Sequence, residues 1–421
     1  MAAAIETGSD EAPVDTPFRW RATGLPADGR VTVRAEAAIG ASRWRSEATF
    51  LSSSEGVVDP EVQAPVDGSY DSIDPAGLLW SMSHVEGRVD FPGRTVDPVE
   101  VDLTVSLEER EVARRQVRRL VLDQGVARRP VDTNGLVGAF FAPRQGGPHP
   151  GVLIVGGSEG GLVEGFAAAL ARHGFATMAV AYFGVPGLRS KLVEIPVEYF
   201  RRALDWLKAQ PETSPGRPAV IGSSKGGEAA LLVAATYDDV GAVVGVVPSG
   251  VAFMGIGRSP LAQRHSSWTI GGKPVPFVPS RYSRRTIRMF ASLRPIRLRV
   301  FYEEAMANAS AMDAADFHLE RIRGPVLLLS GRDDQLWPSA ELAQRAVEHL
   351  NRAGHAWPVE HIAYPNCGHA VSLPYTPAVT EVPRAFAGRT LVLGGTRAGA
   401  AAAAVDGSRR VIEFLHRHLE T

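Results

Sequence analysis

The chain has 421 residues, which exceeds the usual size of a single domain and predicts two or three domains. With 45% hydrophobic and 22% charged residues it can bury a large core, which excludes global disorder. Its formal net charge of −1 gives no electrostatic reason to expect nucleic acid as the main partner.

The N-terminal residues 1–17 are predicted to form a tail. This segment carries acidic residues but has neither a basic start nor an apolar core, so it does not resemble a secretion signal. No stretch of the chain approaches the roughly 18 continuous apolar residues that a membrane-spanning helix needs. The single cysteine, Cys367, excludes an internal disulfide and suits a reducing compartment. We therefore expect a cytoplasmic protein without a membrane span.

Apolar and polar residues alternate in the region 18–112. The segments 31–37 and 99–107 both place a small or branched apolar residue at every second position. This period of two is typical of half-buried antiparallel strands. Turn-forming pairs such as Asp67 and Gly68 lie between them, so we expect a small all-β, immunoglobulin-like sandwich here.

The region 113–421 shows a different pattern, in which buried strands alternate with amphipathic helices. Strands are predicted at 152–155, 175–181, 219–221, 242–247, 325–330 and, as the last one, 359–363; helices are predicted at 162–173, 197–209 and 228–235, with an alanine-rich helix ending near 419. This alternation predicts an α/β domain with a mostly parallel sheet covered on both faces.

A nucleophile elbow is indicated between a short apolar run and a helix. Gly222, Ser223, Ser224, Lys225 and Gly226 form a turn in which small residues flank a central serine. In such a turn the serine side chain stands above the carboxyl edge of a parallel sheet. Ser224 is the candidate nucleophile, although small-residue turns between strands and helices also occur for purely structural reasons.

A base and an acid for this serine are expected later in the chain, in the order serine, acid, histidine. Asp334 follows the strand 325–330 and is the candidate acid, with its neighbour Asp333 as the alternative. His369 follows the strand 359–363 after a glycine and is the candidate base. Cys367, two residues before His369, lacks an elbow and is a weaker candidate for a nucleophile.

The oxyanion formed when Ser224 attacks a carbonyl needs hydrogen-bond donors. One is expected to be the backbone N–H of Lys225, and the other an N–H of the glycine-rich loop 156–161, for which Ser158 and Glu159 are the candidates. Gly157 and Gly160 of this loop would let the backbone approach the substrate. A nucleotide-binding loop is the alternative, but the spacing of the glycines does not fit a dinucleotide motif and no Walker lysine follows.

The chain resembles the acyl-coenzyme A thioesterases of the α/β-hydrolase type and their relative, bile acid-coenzyme A:amino acid N-acyltransferase. The resemblance extends over most of the chain and is carried by residues 74–80, 161–162, 224–228, 333–337, 364–369, 374–375 and 394–406. It implies an immunoglobulin-like domain before the hydrolase domain. It also implies an acyl thioester of coenzyme A or of a carrier protein as the small-molecule substrate, and neither a metal nor a redox cofactor; it implies no particular oligomeric state.

Serine at position 224 resembles the thioesterase members, whereas the vertebrate amide-forming enzyme uses cysteine. We therefore expect hydrolysis of an acyl thioester through an acyl-serine. Alternatives are an acyltransferase or cyclising enzyme that passes the acyl group to an amine or alcohol, and a carboxylester or lactone hydrolase. A non-catalytic binding protein is a further alternative, against which the presence of Ser224, Asp334 and His369 argues.

The segment 251–311 departs most from the family and is expected to form a variable part of the substrate site. Trp268 in this segment is a candidate substrate contact. Its arginines are either a solvated face or contacts for phosphate groups, with Arg281, Arg284 and Arg285 as the candidates.

Overall fold

The computed structural model describes residues 2–257, 260–370, 372–386 and 388–419. Met1 of the predicted tail, Arg258 and Ser259 of the predicted variable segment, and Glu420 and Thr421 at the end of the predicted hydrolase domain lie outside the described residues. The chain divides into two compact units, one comprising Met1–Asp123, Val371–Val379 and Arg397–Asp406, and the other Gln124–Ala370, Thr380–Thr396 and Gly407–Thr421.

The part of the first unit before Asp123 is built mainly from strands, with a single-turn helix, α1 (Gly77–Trp80). Its strands are β1 (Ala4–Thr7), β2 (Glu11–Pro13), β3 (Trp20–Thr23), β4 (Arg30–Ile39), β5 (Ser42–Leu51), β6 (Asp67–Gly68), β7 (Ser83–Glu86), β8 (Val99–Leu107) and β9 (Arg110–Leu120). A seven-stranded sheet has the order β2-β9-β8-β4-β5-β6 with β7 paired to β5, and β1 pairs with β3. The predicted alternation is observed, because every second residue of β4 from Val31 onwards is buried.

The first unit continues past residue 112, where the sequence pattern suggested a boundary. Strand β9 crosses that position and pairs along its length with β8. Its sequence is rich in arginine, and only two of its side chains are buried, so the apolar alternation that reveals the other strands is weak here. The unit therefore extends to Asp123.

The second unit contains a mostly parallel eight-stranded sheet. Its strands are β10 (Val126–Thr133), β11 (Leu136–Pro143), β12 (Gly151–Val155), β13 (Ala176–Ala181), β15 (Ala219–Ser223), β16 (Ala242–Val246), β19 (Val326–Gly331) and β20 (Val359–Tyr364). They lie in the order β10-β11-β13-β12-β15-β16-β19-β20. All neighbours from β13 to β20 run parallel, and the predicted fold class is confirmed.

Short strands and helices complete the second unit. The strands are β14 (Ile195–Pro196), β17 (Trp268–Ile270), β18 (Lys273–Pro274), β21 (Glu381–Phe386) and β22 (Arg389–Val392). The helices are α2 (Glu164–Arg172), α3 (Glu198–Lys208), α4 (Lys225–Thr236), α5 (Arg284–Ala291), α6 (Arg299–Met306), α7 (Ala309–Ala314) and α8 (Ser339–Arg352); α9 (Arg397–Leu419) contributes residues to both units. No helix in the described part of the chain has the length and apolar character needed to span a bilayer.

The parallel strands bring several loops to one edge of the sheet. In the parallel register Val155 lies opposite Gly222, Ser223 opposite Val246, and Val246 opposite Leu329. These central strands are buried on both faces, which explains their continuous apolar sequences. The loops that follow β12, β15, β19 and β20 therefore begin side by side, at the edge where α/β proteins build their ligand sites.

Candidate active site

Ser224 occupies the sharp turn between β15 and α4. Its backbone has φ 56° and ψ −120°, a strained conformation for a residue with a side chain. The turn requires glycine nearby, because a Cβ on Gly222 would lie 1.9 Å from the carbonyl oxygen of Gly226. The Ser224 N–H donates to Val246 O at 2.8 Å, which fixes the turn to the neighbouring strand. The predicted elbow is therefore present in the backbone as well as in the sequence.

Three side chains from distant parts of the chain form one hydrogen-bonded row. The Ser224 Oγ lies 2.8 Å from His369 Nε2, and His369 Nδ1 lies 2.8 Å from Asp334 Oδ2. Because the carboxylate accepts, a neutral imidazole carries its proton on Nδ1 and leaves Nε2 to accept the serine proton. The row is shielded from solvent, with Ser224 6%, His369 9% and Asp334 0% exposed.

The structure distinguishes between the two adjacent aspartates. Asp334 is buried, and its second oxygen, Oδ1, accepts the backbone N–H groups of Leu336 at 2.9 Å and Trp337 at 3.2 Å. These bonds aim Oδ2 at the imidazole. Asp333 is exposed, and no hydrogen bond to His369 is observed for its side chain among the described residues. Asp334, the preferred residue in the sequence analysis, is thus the one that contacts His369.

The loops that carry Asp334 and His369 are joined by a residue that the sequence analysis did not identify. The Leu393 carbonyl accepts the N–H groups of both Gln335 and His369, each at 3.0 Å. The indole of Trp337 meets the His369 ring edge to face, with centroids 5.9 Å apart. The segment after β22 therefore holds the base against the acid. The sequence of this segment gives no signal for that role, because the hydrogen bonds are accepted by a backbone carbonyl, which every residue has.

The glycine-rich loop 156–161 lies beside the serine. A Cβ placed on Gly157 would be 3.3 Å from the Ser224 Cβ, so a side chain here would crowd the nucleophile. The Tyr182 hydroxyl donates towards the carbonyls of Gly156 at 2.8 Å and Gly157 at 3.2 Å, which anchors the loop. Gly160 adopts φ +69°. The loop thus lies where the second oxyanion donor is predicted.

Ser158 and Glu159 are the loop residues predicted to supply that donor. Ser158 is half-buried and Glu159 is exposed. Lys225, the other predicted donor, is the first residue of α4, where backbone N–H groups have no partner inside the helix. The positive end of the helix dipole favours an oxyanion at the same place.

The Lys225 side chain belongs to a buried ion pair. Lys225 Nζ lies 2.6 Å from Glu228 Oε1, and the two side chains are 2% and 0% exposed. Glu228 Oε1 also accepts from Trp268 Nε1 at 2.7 Å and from the Phe253 N–H at 3.2 Å. Burial lowers the pKa of Lys225 and raises the pKa of Glu228, and their mutual attraction opposes both changes. A lysine and a glutamate three residues apart in an otherwise apolar helix are the sequence signal for this pair.

Trp268 was expected to contact substrate, and the structure corrects this expectation. Its side chain is fully buried, packs against Tyr182 and Phe200, and donates to Glu228. An indole at the start of the short strand β17 suits a core position as well as a binding site, and here it occupies the core position. Trp268 supports the first turn of α4 from behind.

The predicted arginine contacts lie on an exposed surface. Arg281, Arg284 and Arg285 are all exposed, the last two on α5. Arg299 differs from them, because its guanidinium donates to the Asp334 carbonyl at 3.1 Å and pairs with Glu303 and Glu341. Cys367 is fully buried, and burial raises the pKa of its thiol to about 12, which argues against a role as nucleophile.

Two curated relatives resemble this chain over 96% and 97% of its length, and a solved structure over 69%. A crystal structure of a dienelactone hydrolase-like promiscuous phosphotriesterase from metagenomic libraries is 18% identical, with 69% of this chain and 99% of that chain covered and a TM-score of 0.42. Acyl-coenzyme A thioesterase 1 of Homo sapiens is 29% identical over 417 residues, which cover 96% of this chain and 94% of the relative. Acyl-coenzyme A amino acid N-acyltransferase 1 of Mus musculus is 30% identical over 423 residues, covering 97% and 96%.

Two family models match the chain. Residues 15–133 match "Acyl-CoA thioester hydrolase/BAAT N-terminal region". Residues 195–421, more than half of the chain, match "BAAT / Acyl-CoA thioester hydrolase C terminal". The protein therefore belongs to the acyl-CoA thioester hydrolase/BAAT family.

Proposed function

We propose that this protein hydrolyses acyl-coenzyme A thioesters through an acyl-enzyme formed on Ser224. The observation that carries the proposal is the buried row of hydrogen bonds from Ser224 Oγ through His369 to Asp334 Oδ2. Family membership supports the same reaction class, because the relatives include proteins named as acyl-coenzyme A thioesterases.

In the first half of the reaction Ser224 is acylated. His369 Nε2 takes the proton of the serine hydroxyl while Oγ attacks the thioester carbonyl carbon. The resulting oxyanion accepts from the Lys225 N–H and from an N–H of the loop 156–161. When the tetrahedral intermediate collapses, the C–S bond breaks and His369 returns its proton to the departing sulfur. Asp334 holds the imidazole in the required tautomer throughout.

In the second half water releases the acid. His369 Nε2 takes a proton from a water molecule, whose oxygen attacks the acyl carbonyl carbon of the serine ester. Collapse of the second intermediate breaks the C–Oγ bond, and His369 returns the proton to Ser224. The products are a free carboxylic acid and free thiol, and the enzyme regains its starting state.

Transfer of the acyl group to an amine is the second candidate function. It is favoured by the 30% identity to a relative named as an amino acid N-acyltransferase. In that reaction the amine nitrogen replaces water in the second half, and His369 accepts its proton. Because both reactions share the acyl-serine, they differ only in the acceptor that reaches the ester first.

The proposal is tested with a panel of acyl-coenzyme A esters of increasing chain length. Thiol release is followed for the wild type, for Ser224→Ala and for Ser223→Ala as the matched control. We expect Ser224→Ala to lower kcat by about four orders of magnitude or more and the control to change it by less than about threefold. Brief incubation with substrate and mass spectrometry should find the acyl group on the peptide containing Ser224. Thiol release by Ser224→Ala at the wild-type rate would refute the proposal.

Addition of glycine, taurine or a simple alcohol separates the two candidate functions. A hydrolase yields the free acid at an unchanged rate, whereas an acyltransferase yields an amide or ester in its place. Product analysis by mass spectrometry distinguishes these outcomes directly.

A further inference from the structure

Six exposed arginines lie in the segment 281–297 of the second unit, and they are here called the arginine surface. Its members are Arg281, Arg284, Arg285, Arg288, Arg294 and Arg297, and all six are exposed. No aspartate or glutamate occurs in the sequence between Asp239 and Glu303. The segment is thus basic without internal compensation, in a chain whose formal net charge is only −1.

The acidic residues nearest in sequence are engaged with other groups. Glu303 pairs with Arg299, outside the arginine surface. Glu304 accepts from the hydroxyls of Ser283 and Thr286 and is held at the start of α5. None of the six arginines forms an ion pair with another residue that the structure describes, and only Arg285 interacts electrostatically with Glu304 among these described residues. The charges of the other five remain available to a partner.

The inner face of α5 is fixed to the protein, which directs its basic face outwards. Phe290 stacks on Phe386 with ring centroids 5.7 Å apart, and Thr286 is fully buried. Arg389 donates to the carbonyl oxygens of Met289 and Ser292 at the end of the helix. The surface is therefore presented on a supported helix.

Apolar side chains are interspersed among the arginines. Tyr282, Ile287 and Leu293 are 47%, 54% and 94% exposed. Arginine and tyrosine combined with isolated apolar groups are typical of protein–protein interfaces, in which charge steers the partner and apolar contacts hold it.

The arginine surface adjoins the loops of the candidate active site. Ile296, between Arg294 and Arg297, donates its N–H to Thr390 O and accepts from Val392 N–H, each at 2.8 Å. The next residue along that strand, Leu393, accepts the N–H of His369. Two residues after Arg297, Arg299 donates to the carbonyl of Asp334. A partner bound here would lie close to the acid and the base.

We propose that the arginine surface docks an acidic carrier protein that delivers the acyl group as a phosphopantetheine thioester. This inference rests on the proposed function and names a substrate class for the same site. An anionic protein surface matches charges that are spread over a helix and the loop after it. The phosphates of coenzyme A would instead require guanidinium groups converging in a concave site.

A lipid surface fits the same residues less well. Membrane-binding helices insert a continuous apolar face, but the inner face of α5 already packs against the protein. Only scattered apolar side chains remain for insertion. The carrier protein is therefore the occupant that the geometry favours.

The test compares octanoyl-coenzyme A with a bacterial acyl carrier protein bearing an octanoyl-phosphopantetheine. The variant Arg284→Glu/Arg288→Glu reverses two charges on α5. We expect it to lower kcat/KM for the acyl carrier protein at least about tenfold and for octanoyl-coenzyme A by less than about threefold. The wild-type kcat/KM for the carrier protein should also fall steeply with added salt.

Two controls accompany this variant. Arg321→Glu/Arg323→Glu makes the same change of charge before β19, at the opposite edge of the sheet from the loop that carries Asp334, and should leave both substrates unaffected. Arg284→Lys/Arg288→Lys keeps the charge and should retain most of the activity on the carrier protein. Circular dichroism and melting temperature confirm that each variant is folded.

Direct binding separates failure of the docking proposal from failure of the proposed function. Titration of fluorescently labelled holo carrier protein should give a dissociation constant below about 100 μM for the wild type and much weaker binding for Arg284→Glu/Arg288→Glu. If binding behaves so but neither thioester is hydrolysed, the proposed function fails and the docking surface stands. Three results overturn the docking proposal. They are no binding of the carrier protein by the wild type, an equal loss of kcat/KM for both thioesters in Arg284→Glu/Arg288→Glu, and, in a parallel binding assay, binding to phosphatidylglycerol vesicles but not to the carrier protein.

Discussion

The buried pair Lys225–Glu228 makes the most specific prediction about stability. The change Glu228→Gln keeps the size of the side chain and retains an oxygen that can accept from Trp268 and Phe253. It removes the negative charge that faces Lys225 Nζ at 2.6 Å. It also places an amide N–H₂ near the position of Oε2, which has no hydrogen-bond partner among the described residues. The lysine is then a buried cation without a counter-ion.

The size of the effect follows from burial. Because the two side chains are only 2% and 0% exposed, water does not solvate the charge that remains when the pair is broken. Removing one partner of such a pair typically costs about 3–5 kcal/mol. For a unit of this size that corresponds to a fall in Tm of roughly 6–20 °C. Because Glu228 also holds the first turn of α4, we expect kcat to fall by about tenfold or more with little change in KM.

The assay is a double-mutant cycle of Lys225→Met and Glu228→Gln, in which calorimetry measures the free energy of unfolding of each variant. The double variant Lys225→Met/Glu228→Gln removes both charges. Its methionine side chain occupies a volume similar to that of the lysine stem, and its glutamine oxygen still accepts from Trp268. We expect it to recover most of the stability lost by Glu228→Gln, with a coupling energy above about 2 kcal/mol. A double variant as unstable as the sum of the two single variants would show that the charges are not coupled. A Glu228→Gln variant as stable as the wild type would refute the reasoning outright.

Three further predictions concern the elbow and the neighbours of the site. Asp334→Asn should lower kcat about 10³- to 10⁴-fold, because the asparagine no longer holds His369 in the required tautomer. Asp333→Asn, the control, should change kcat less than about twofold. Equal effects of the two variants in steady-state kinetics would contradict the assignment of the acid. Gly222→Ala should sharply reduce the yield of folded protein, because its Cβ would lie 1.9 Å from the carbonyl oxygen of Gly226. Gly8→Ala is the control, and it should not change the melting temperature because no atom lies within 4 Å of the added Cβ. Treatment of the enzyme with iodoacetamide at pH 7, followed by removal of the reagent, should leave thiol release unchanged, because burial raises the pKa of Cys367 to about 12. Inhibition that Cys367→Ala prevents would overturn this view.

Much of the fold could be predicted because the relevant patterns are local. Strand β8 lies at 99–107 as the alternation indicates, and α9 ends at Leu419. Strands β10 and β11 were not recognised. Their exposed arginines and continuous apolar residues lack a period of two, and their role depends on pairing with β13. Strands β21 and β22, which follow the last predicted strand, were missed as well.

Sequence by itself determined the nucleophile's turn and the order of the three polar side chains along the chain. A tight turn needs glycines at fixed offsets from Ser224, and loops after buried strands carry recognisable polar residues, so both are written into short segments. The tertiary structure alone decided that His369 bonds to a serine 145 residues away and that Asp334, not Asp333, faces the imidazole. It also decided that Trp268 lies in the core and that Lys225 and Glu228 form a buried ion pair. These outcomes depend on strand order and on which side chains lose contact with water, and neither is a property of a local stretch of chain.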